Sequence, residues 1–166
     1  MAGPAKVLLV DDDETMYVIY RNRFQEAFGD SVTLDHCPQD RMLDEMLASE
    51  HYAVVILDQM LQNGTTGLDL VPTIRRFGHG SRILMNSGYG SEELAARAME
   101  AGVDGYVLGH KENLDELVRT VETALDSHSC LEDIRMGIIS ESESPLHHRC
   151  DMLRRKVREK VSAVRR

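Results

Sequence analysis

The stretch Ala53-Val-Val-Ile-Leu-Asp58-Gln-Met-Leu61 decides how the rest of this 166-residue chain is expected to fold. Five apolar residues, three of them β-branched, run without a polar break into Asp58. A run so short and so apolar predicts a central strand that is covered by helices on both faces. In an open α/β sheet the functional site lies at the carboxyl ends of the strands, so Asp58 is placed where a site is expected. The plainer alternative is that Asp58 only caps the loop that follows it.

Apolar runs and amphipathic runs alternate along residues 1–126. The predicted strands are 6–10, 32–36, 53–57, 82–86 and 104–108, and the predicted helices are 15–28, 39–49, 68–77, 91–101 and 112–126. Gly29 and Gly102 are expected to end the first and fourth helices, and Ser91 to cap the fourth. The third helix is expected to break near Pro72 or to begin there. Strands that alternate with helices predict right-handed βαβ units, hence an α/β fold with a parallel sheet.

Charge is distributed unevenly over a chain whose net charge is −9. Residues 1–126 carry 10 Lys and Arg against 22 Asp and Glu, whereas residues 127–166 carry 9 against 6. An acidic body is not suited to nucleic acid, because phosphate contacts need cations. It suits a carboxylate-lined cation site or a basic protein partner.

The cysteines and the apolar runs indicate where the protein is expected to work. Cys37, Cys130 and Cys150 have neither metal-site nor disulfide spacing, which fits a reducing compartment. The N-terminal residues do not resemble a signal peptide, and no stretch approaches the roughly 20 apolar residues of a membrane span. We therefore expect a cytoplasmic protein without a membrane partner.

Residues 127–166 differ from the body, and we expect them to form a helical C-terminal extension. Residues 127–139 can continue the preceding helix, 140–145 have linker composition, and 146–166 predict a basic helix. One face of that last helix carries an apolar stripe of Leu153, Val157 and Val161. A lone helix of about 20 residues is marginal in water, so the stripe predicts self-association or docking to a partner. Its basic face could touch DNA, but so short a segment makes no helix-turn-helix with its own core.

Four predicted loops at the carboxyl ends of strands carry polar groups. They contain Asp11-Asp12-Asp13, Asp58, Ser87 and Gly109-His110-Lys111. Carboxylates within about 4 Å of each other repel by roughly 4 kcal/mol per pair at an effective dielectric constant near 20, and a divalent cation removes that repulsion. Oxygen ligands favour Mg²⁺, which keeps several waters and accepts phosphate oxygens. A carboxylate beside Mg²⁺ is a competent nucleophile toward phosphorus, and Ser87 could donate to a phosphoryl oxygen.

Four motifs give the chain a resemblance to a known family. They are Leu9-Val10-Asp11-Asp12-Asp13-Glu14, Val55-Ile56-Leu57-Asp58, Met85-Asn86-Ser87-Gly88 and Ala101-Gly102-Val103-Asp104-Gly105-Tyr106. In order and spacing they resemble the receiver domain of bacterial two-component response regulators, over about residues 5–126. The resemblance implies a flavodoxin-like sheet with strand order 2-1-3-4-5. It also implies a signalling module, not an enzyme.

The resemblance further implies a role for each motif residue. Asp58 would accept a phosphoryl group from a sensor histidine kinase or a phosphotransfer protein. Asp12, Asp58 and the Met60 carbonyl would bind Mg²⁺ directly, and Asp11 through water. Ser87 would hold the phosphoryl oxygen, and Tyr106 would be an aromatic switch that turns inward when Ser87 moves. The output would be a contact with a downstream protein or self-association through the C-terminal helix.

The chain departs from the family pattern in two loops. Gly109 and His110 stand where the family has a lysine followed by a proline, and the loop from Asp58 to Gly67 is one residue longer than usual. A trans Gly109–His110 bond is expected, since a cis bond without proline costs about 2.5–4 kcal/mol. The loop so reshaped could let Lys111 substitute for the family lysine, or Lys111 could point to solvent.

Two other functions remain open at this stage. Without the family lysine, the chain could be a degenerate receiver that serves as a phosphorylation-independent scaffold. Asp11-x-Asp13-x-Thr15 after an apolar strand also fits the nucleophile motif of haloacid-dehalogenase-like phosphatases, with Ser87 and Lys111 as later motif members. That class needs a further acidic pair at a strand end, and it leaves Asp58 without a role.

Overall fold

A computed structural model describes residues 3–77, 80–109 and 113–136 of the chain. The predictions for His110, Lys111 and residues 137–166 lie outside the described residues. The chain divides into two compact units, Met1–Leu125 and Asp126–Arg166, and each is described by itself. Within the described segments, no helix combines the length and the apolar character that crossing a membrane requires.

The first unit is built on a five-stranded parallel sheet. Its strands are β1 (Ala5–Val10), β2 (Val32–Cys37), β3 (Val54–Asp58), β4 (Arg82–Ser87) and β5 (Gly105–Leu108). They lie in the order β2-β1-β3-β4-β5, and every neighbouring pair is parallel. The α/β class and the strand order 2-1-3-4-5 are therefore confirmed. The central strand β3 is buried along its whole length, as its unbroken apolar sequence predicts.

Five helices connect and flank the strands. They are α1 (Glu14–Phe28), α2 (Leu43–Ser49), α3 (Gly67–Phe77), α4 (Glu92–Glu100) and α5 (Leu114–Arg135). The Ser91 hydroxyl accepts a hydrogen bond from the Leu94 amide at 3.1 Å and caps α4, as predicted. Gly29 and Gly102 follow α1 and α4 with positive φ angles of 55° and 97°, conformations that glycine adopts without a Cβ clash.

Each face of the sheet packs against its own core layer. The α1/α5 layer contains Tyr20, Ile56, Leu84, Val107 and Val121 among its buried members. The α2/α3/α4 layer is on the opposite face and contains Leu43, Leu57, Ile74, Met85 and Ala98. Fully burying one such side chain contributes about 1.5–3 kcal/mol, so the two layers fix the sheet and the loops at its carboxyl edge.

Two predicted helices need correction, and a third is longer than its core prediction. The third is neither broken at Pro72 nor begins there, because α3 runs from Gly67 to Phe77 with Pro72 inside it. The proline has no amide hydrogen for the fourth carbonyl before it, but Val71 and Ile74 on the same helix are buried and hold it in place. The second begins as a single 3₁₀ turn over Asp40–Met42 before α2. The fifth continues past residue 126 to Arg135, as the sequence allows for residues 127–139.

Candidate functional site

Three aspartates meet at the carboxyl edge of the sheet. Asp11, Asp12 and Asp58 place carboxylate oxygens within 4.8 Å of one another, and we call these residues the acidic cluster. The cause is the strand order: β1 and β3 are neighbours, with Val10 paired to Leu57, so the residues that follow each strand end arrive together. Asp11 is 3 % exposed and Asp58 is 9 % exposed, so the cluster is partly withdrawn from water.

The turn between β1 and α1 fixes Asp11. Its Oδ1 accepts a hydrogen bond from the Asp13 amide at 2.8 Å, and its own amide donates to the Cys37 carbonyl at 3.3 Å. The His36 ring lies with Nε2 2.7 Å from the Asp11 carbonyl oxygen. Asp13 caps α1 by accepting from the Thr15 amide at 2.8 Å. Asp13 is therefore a helix cap, which leaves Asp11 and Asp12 to line the site.

Burial and neighbouring charge act on Asp58. They raise the pKa of its carboxyl to about 7, through loss of solvation first, then repulsion by Asp11 and a smaller repulsion by Asp12. Backbone amides oppose the shift, among them that of Met60 at 3.3 Å from Oδ2. A carboxyl so shifted is half protonated near neutral pH, and a cation beside it restores the charged form. Three carboxylates with oxygen ligands only are a donor set that fits a hard divalent cation.

The loop after β3 wraps around the Asp58 backbone. Gly67 packs so closely that a Cβ there would collide with the Asp58 carbonyl oxygen. Met60 pairs with Thr66 in an isolated antiparallel bridge, and a 3₁₀ turn spans Gln62–Gly64. The Met60 side chain is 65 % exposed at the rim of the site. Cation binding by its carbonyl stays a prediction.

Ser87 ends β4, next to the end of β3. It is 1 % exposed, and its hydroxyl donates to the Tyr89 carbonyl at 3.1 Å. The residue before it, Asn86, is the strand partner of Asp58. Ser87 is therefore one residue closer to the carboxyl edge of the sheet than the partner of Asp58. In this conformation the Ser87 hydroxyl hydrogen is used within its own loop. Its role toward a phosphoryl group stays a prediction.

Tyr106 lies on β5 with its side chain packed against the α2/α3/α4 layer. Its hydroxyl is buried, and the described part of the chain offers it no hydrogen-bond partner. Gly90 is directly beside it, since a Cβ built there would collide with that hydroxyl oxygen and lie 2.5 Å from Leu108 Cδ1. The Tyr106 side chain thus points inward. It fills space that is available because Gly90 has no side chain.

Gly109 follows β5 with a φ of 93°, a left-handed conformation that disfavours any side chain. Its amide donates to the Ser87 carbonyl at 2.8 Å, which ties the end of β5 to the end of β4. The Asn113 side chain holds the other side of the turn through Nδ2, 2.8 Å from the Leu108 carbonyl. The position where the family has lysine is therefore a glycine turn.

A cleft of about 210 Å³ opens beside Asp12. It is lined by Asp12, Cys37, Pro38, Gln39, Asp40, Arg41, Leu61 and Gln62. Burial raises the pKa of the Cys37 thiol to about 11, so the thiol is protonated at neutral pH.

Sequence reasoning missed a buried polar pair beneath the acidic cluster. The Asn86 side-chain amide donates to the Tyr20 hydroxyl at 2.5 Å, and both side chains are almost wholly buried. In the sequence, Tyr20 lies within the predicted helix 15–28, and Asn86 belongs to one of the four motifs. The available signal was a polar amide directly after the apolar run 83–85.

Comparison with known proteins decides the family. Residues 7–122 match the family model described as "Response regulator receiver domain", which covers more than half of the chain. The chain belongs to the response regulator receiver family. The family assignment, together with the place of Asp58 in the acidic cluster, sets aside the haloacid-dehalogenase-like alternative.

Several relatives and solved structures resemble this receiver. It is 30 % identical to the chemotaxis protein CheY of Halobacterium salinarum over 61 % of this chain and 82 % of that protein. It is 29 % identical to the acid tolerance regulatory protein ActR of Rhizobium meliloti over 64 % of this chain, and the match spans about half, 54 %, of ActR. The receiver domain of a LuxO-type repressor from Vibrio parahaemolyticus superimposes with a TM-score of 0.69 at 21 % identity, over 79 % of this chain and 96 % of that one, which shows the fold.

A structure of higher identity gives the same result. A LuxR-family response regulator from Aurantimonas superimposes with a TM-score of 0.66 at 26 % identity, over 75 % of this chain and 86 % of that one. The protein is accordingly a receiver domain of two-component signalling, and receiver domains are signalling modules.

Proposed function

We propose that this receiver accepts a phosphoryl group on Asp58 with Mg²⁺ held by the acidic cluster, and that it signals through protein–protein contacts. The observation that supports this most directly is the convergence of Asp11, Asp12 and Asp58 within 4.8 Å at the carboxyl edge of the sheet. In this proposal Asp12 and Asp58 bind the cation directly together with the Met60 carbonyl, and Asp11 acts through water.

The transfer is a displacement at phosphorus. An ionised oxygen of Asp58 attacks the phosphorus of a phosphohistidine, the phosphorus–nitrogen bond breaks, and its electron pair stays on the imidazole nitrogen. An acyl phosphate forms on Asp58. Bound Mg²⁺ neutralises the charge of the phosphoryl oxygens and of the carboxylates. Without a cation, burial and Asp11 raise the pKa of Asp58 to about 7, so a bound cation would also favour the reactive ionised form.

Two residues outside the cluster complete the proposed response. Ser87 gives up its 3.1 Å hydrogen bond to the Tyr89 carbonyl and donates to a phosphoryl oxygen. Tyr106 follows Ser87 because both belong to the paired strands β4 and β5. The movement exchanges one hydrogen bond for another that is charge-assisted, and such bonds are worth about 1.5–3 kcal/mol.

The partners follow from the family and from the charge. A sensor histidine kinase or a phosphotransfer protein supplies the phosphoryl group, and a downstream protein reads the phosphorylated state. The acidic body favours partners with basic surfaces. The work of such a relay takes place in the cytoplasm.

Labelling tests the proposal. The full chain is incubated with a small phosphodonor and Mg²⁺, and the label is located by mass spectrometry. Asp58→Asn should abolish labelling, and a chelator should abolish it in the wild type. Asp44→Asn removes an exposed aspartate at the start of α2 and serves as the matched control, which should label normally. Equal label on Asp58→Asn, or full label in chelator, contradicts the assignment.

One observation favours a second function, that of a phosphorylation-independent scaffold. Gly109, with its φ of 93°, replaces a lysine that the family uses beside the phosphoryl group. A scaffold binds its partner with the same affinity before and after treatment with phosphodonor, and Asp58→Asn binds it equally well. A receiver that switches changes its affinity on labelling, so one binding measurement separates the two functions.

A further inference from the structure

Tyr20 and Asn86 form a buried polar pair in an otherwise apolar core layer. Tyr20 is 0 % exposed and Asn86 is 2 % exposed, and the amide donates to the hydroxyl at 2.5 Å. Burying two polar groups is unfavourable relative to burying apolar ones of similar shape, even when the groups are paired. Two apolar residues would fill the same space, so stability alone does not account for the pair.

Its location suggests a reason. Side chains alternate between the faces of a strand, and Leu9, Ile56 and Leu84 all belong to the α1/α5 layer. Asp11, Asp58 and Asn86 lie two positions further along the same three strands. Their side chains are therefore on the same face of the sheet, the face against which Tyr20 packs. Asn86 is also the strand partner of Asp58. The pair thus lies directly beneath two of the three carboxylates of the acidic cluster.

The hydrogen bond between the two residues sets the direction of the hydroxyl. Its oxygen accepts from the Asn86 amide, so its single hydrogen points away from that amide. Among the neighbouring carboxylates, Asp11 has the strongest electrostatic effect on the Tyr20 hydroxyl, and Asp58 has the next strongest. Burial first and these charges second raise the pKa of Tyr20, so the group stays protonated and remains a donor. A neutral hydroxyl on the same face of the sheet as Asp11 and Asp58 can serve as a donor toward their carboxylates.

We infer that Tyr20, held in place by Asn86, is a positioning residue that orients the carboxylates of the acidic cluster for a divalent cation. The inference rests on the cation site of the proposed function. Outer partners that orient metal-binding carboxylates are typically worth about 10- to 100-fold in metal affinity. Because the cluster here is fixed by backbone contacts as well, we expect the lower end of that range.

The test is the Kd for Mg²⁺ of the full chain, measured by isothermal titration calorimetry at constant pH. Tyr20→Phe should weaken binding by about 10-fold. It should also lower the Tm, because the Asn86 amide loses its acceptor in the core. The double variant Tyr20→Phe/Asn86→Val removes both polar groups, so its Tm should recover while its Kd stays about 10-fold weaker. If the pair is only structural, the Mg²⁺ affinity should fall in Tyr20→Phe and recover in the double variant, in parallel with the Tm.

Tyr52→Phe is the matched control. Tyr52 is also a buried tyrosine, 2 % exposed, and it donates to the Asp35 carboxylate at 2.9 Å, but it lies just before β3, at the edge of the sheet opposite the cluster. Its loss should leave the Kd unchanged. A double variant that binds Mg²⁺ like the wild type overturns the inference, as does equal weakening in Tyr52→Phe. Absence of Mg²⁺ binding in the wild type contradicts the proposed function itself, which distinguishes the two failures.

Discussion

The raised pKa of Asp58 and its cost to the stability of the fold have the same cause. Its burial and the neighbouring Asp11 raise the pKa of the carboxyl to about 7, and the same two effects make the ionised side chain unfavourable in the folded protein. Between the ordinary pKa of 3.8 and about 7, the folded state holds a proton that the unfolded state releases. Stability therefore falls as pH rises through that interval. The residue best suited to the proposed chemistry is one that destabilises the fold when no cation is bound.

Asp58→Asn is accordingly expected to stabilise the folded protein in chelator at pH 8. The full pKa shift corresponds to about 4 kcal/mol, an upper limit because the site is partly solvated, so we expect a gain of about 1–4 kcal/mol in the free energy of unfolding. The gain should shrink toward zero at about pH 3, below the ordinary pKa of 3.8, where Asp58 is protonated in both states. Urea unfolding at the two pH values measures it, with Asp44→Asn as the control. A gain independent of pH would show that Asp58 carries no such penalty.

Gly109 is a second residue whose replacement has an expected effect on stability and on switching. A side chain at a φ of 93° is strained, so Gly109→Ala and Gly109→Lys should both lower the free energy of unfolding by about 1–3 kcal/mol. Only the lysine adds a cation beside the phosphoryl group. Relative to Gly109→Ala, it should strengthen the coupling between labelling and partner binding by about 10- to 100-fold.

Lys111→Ala completes this comparison. If Lys111 substitutes for the family lysine, its loss should weaken labelling-dependent binding, and if it points to solvent, binding should not change. No effect from either Gly109→Lys or Lys111→Ala would remove this loop from the switch.

Among the elements, β4 and β5 carry the two groups proposed to respond to phosphorylation. Ser87 ends β4 and Tyr106 is the second residue of β5, and the Gly109 amide donates to the Ser87 carbonyl across the strand ends. The loop after β4 contributes Gly90, whose absent side chain leaves space for the Tyr106 hydroxyl. That hydroxyl has lost water without gaining a partner among the described residues. Among the described residues, the inward tyrosine is therefore held by packing alone, and its role as a switch stays a prediction.

Tyr106→Phe should raise the free energy of unfolding by about 1 kcal/mol, because it removes a buried hydroxyl without a partner. Gly90→Ala should lower it by at least about 1 kcal/mol, because the new methyl group overlaps that hydroxyl. The loss from Gly90→Ala should be smaller in the Tyr106→Phe background, which a double-mutant cycle in urea measures. Tyr89→Phe alters a tyrosine that is 93 % exposed and should have no effect. Additive changes at Gly90 and Tyr106 would show that the two do not interact.

At the scale of the whole molecule, an acidic receiver is followed by a basic extension. Residues 1–126 and 127–166 carry net charges of −12 and +3, which together give the −9 of the chain. Helix α5 continues past residue 126 to Arg135, so the extension begins within a helix and not at a linker. The apolar stripe predicted for 146–166 lies outside the described residues and remains an inference from the sequence.

Removal of residues 140–166 is expected to change the state of association. The stripe of Leu153, Val157 and Val161 should bury against a second copy or a partner, because an isolated helix of about 20 residues is marginal. Analytical ultracentrifugation of the full and shortened chains measures self-association, and hydrogen exchange reports whether the segment is protected. A monomer in both cases, with an unprotected segment, would contradict self-association.

The sequence by itself determined the order of the elements, the parallel sheet and the acidic cluster. These depend on local signals, since the period of apolar residues and the glycines after α1 and α4 act within a few residues. Parallel strands then bring Asp11, Asp12 and Asp58 to one edge whatever the details of packing.

Only the tertiary structure decided the rest. Pro72 stays inside α3 because neighbouring side chains bury against the sheet, and tertiary packing outweighs a local preference. The pKa of Asp58 and the hydrogen bond between Tyr20 and Asn86, 66 residues apart in the chain, depend on which groups share a buried space. Burial and proximity are properties of the packed molecule, and no local pattern in the sequence encodes them.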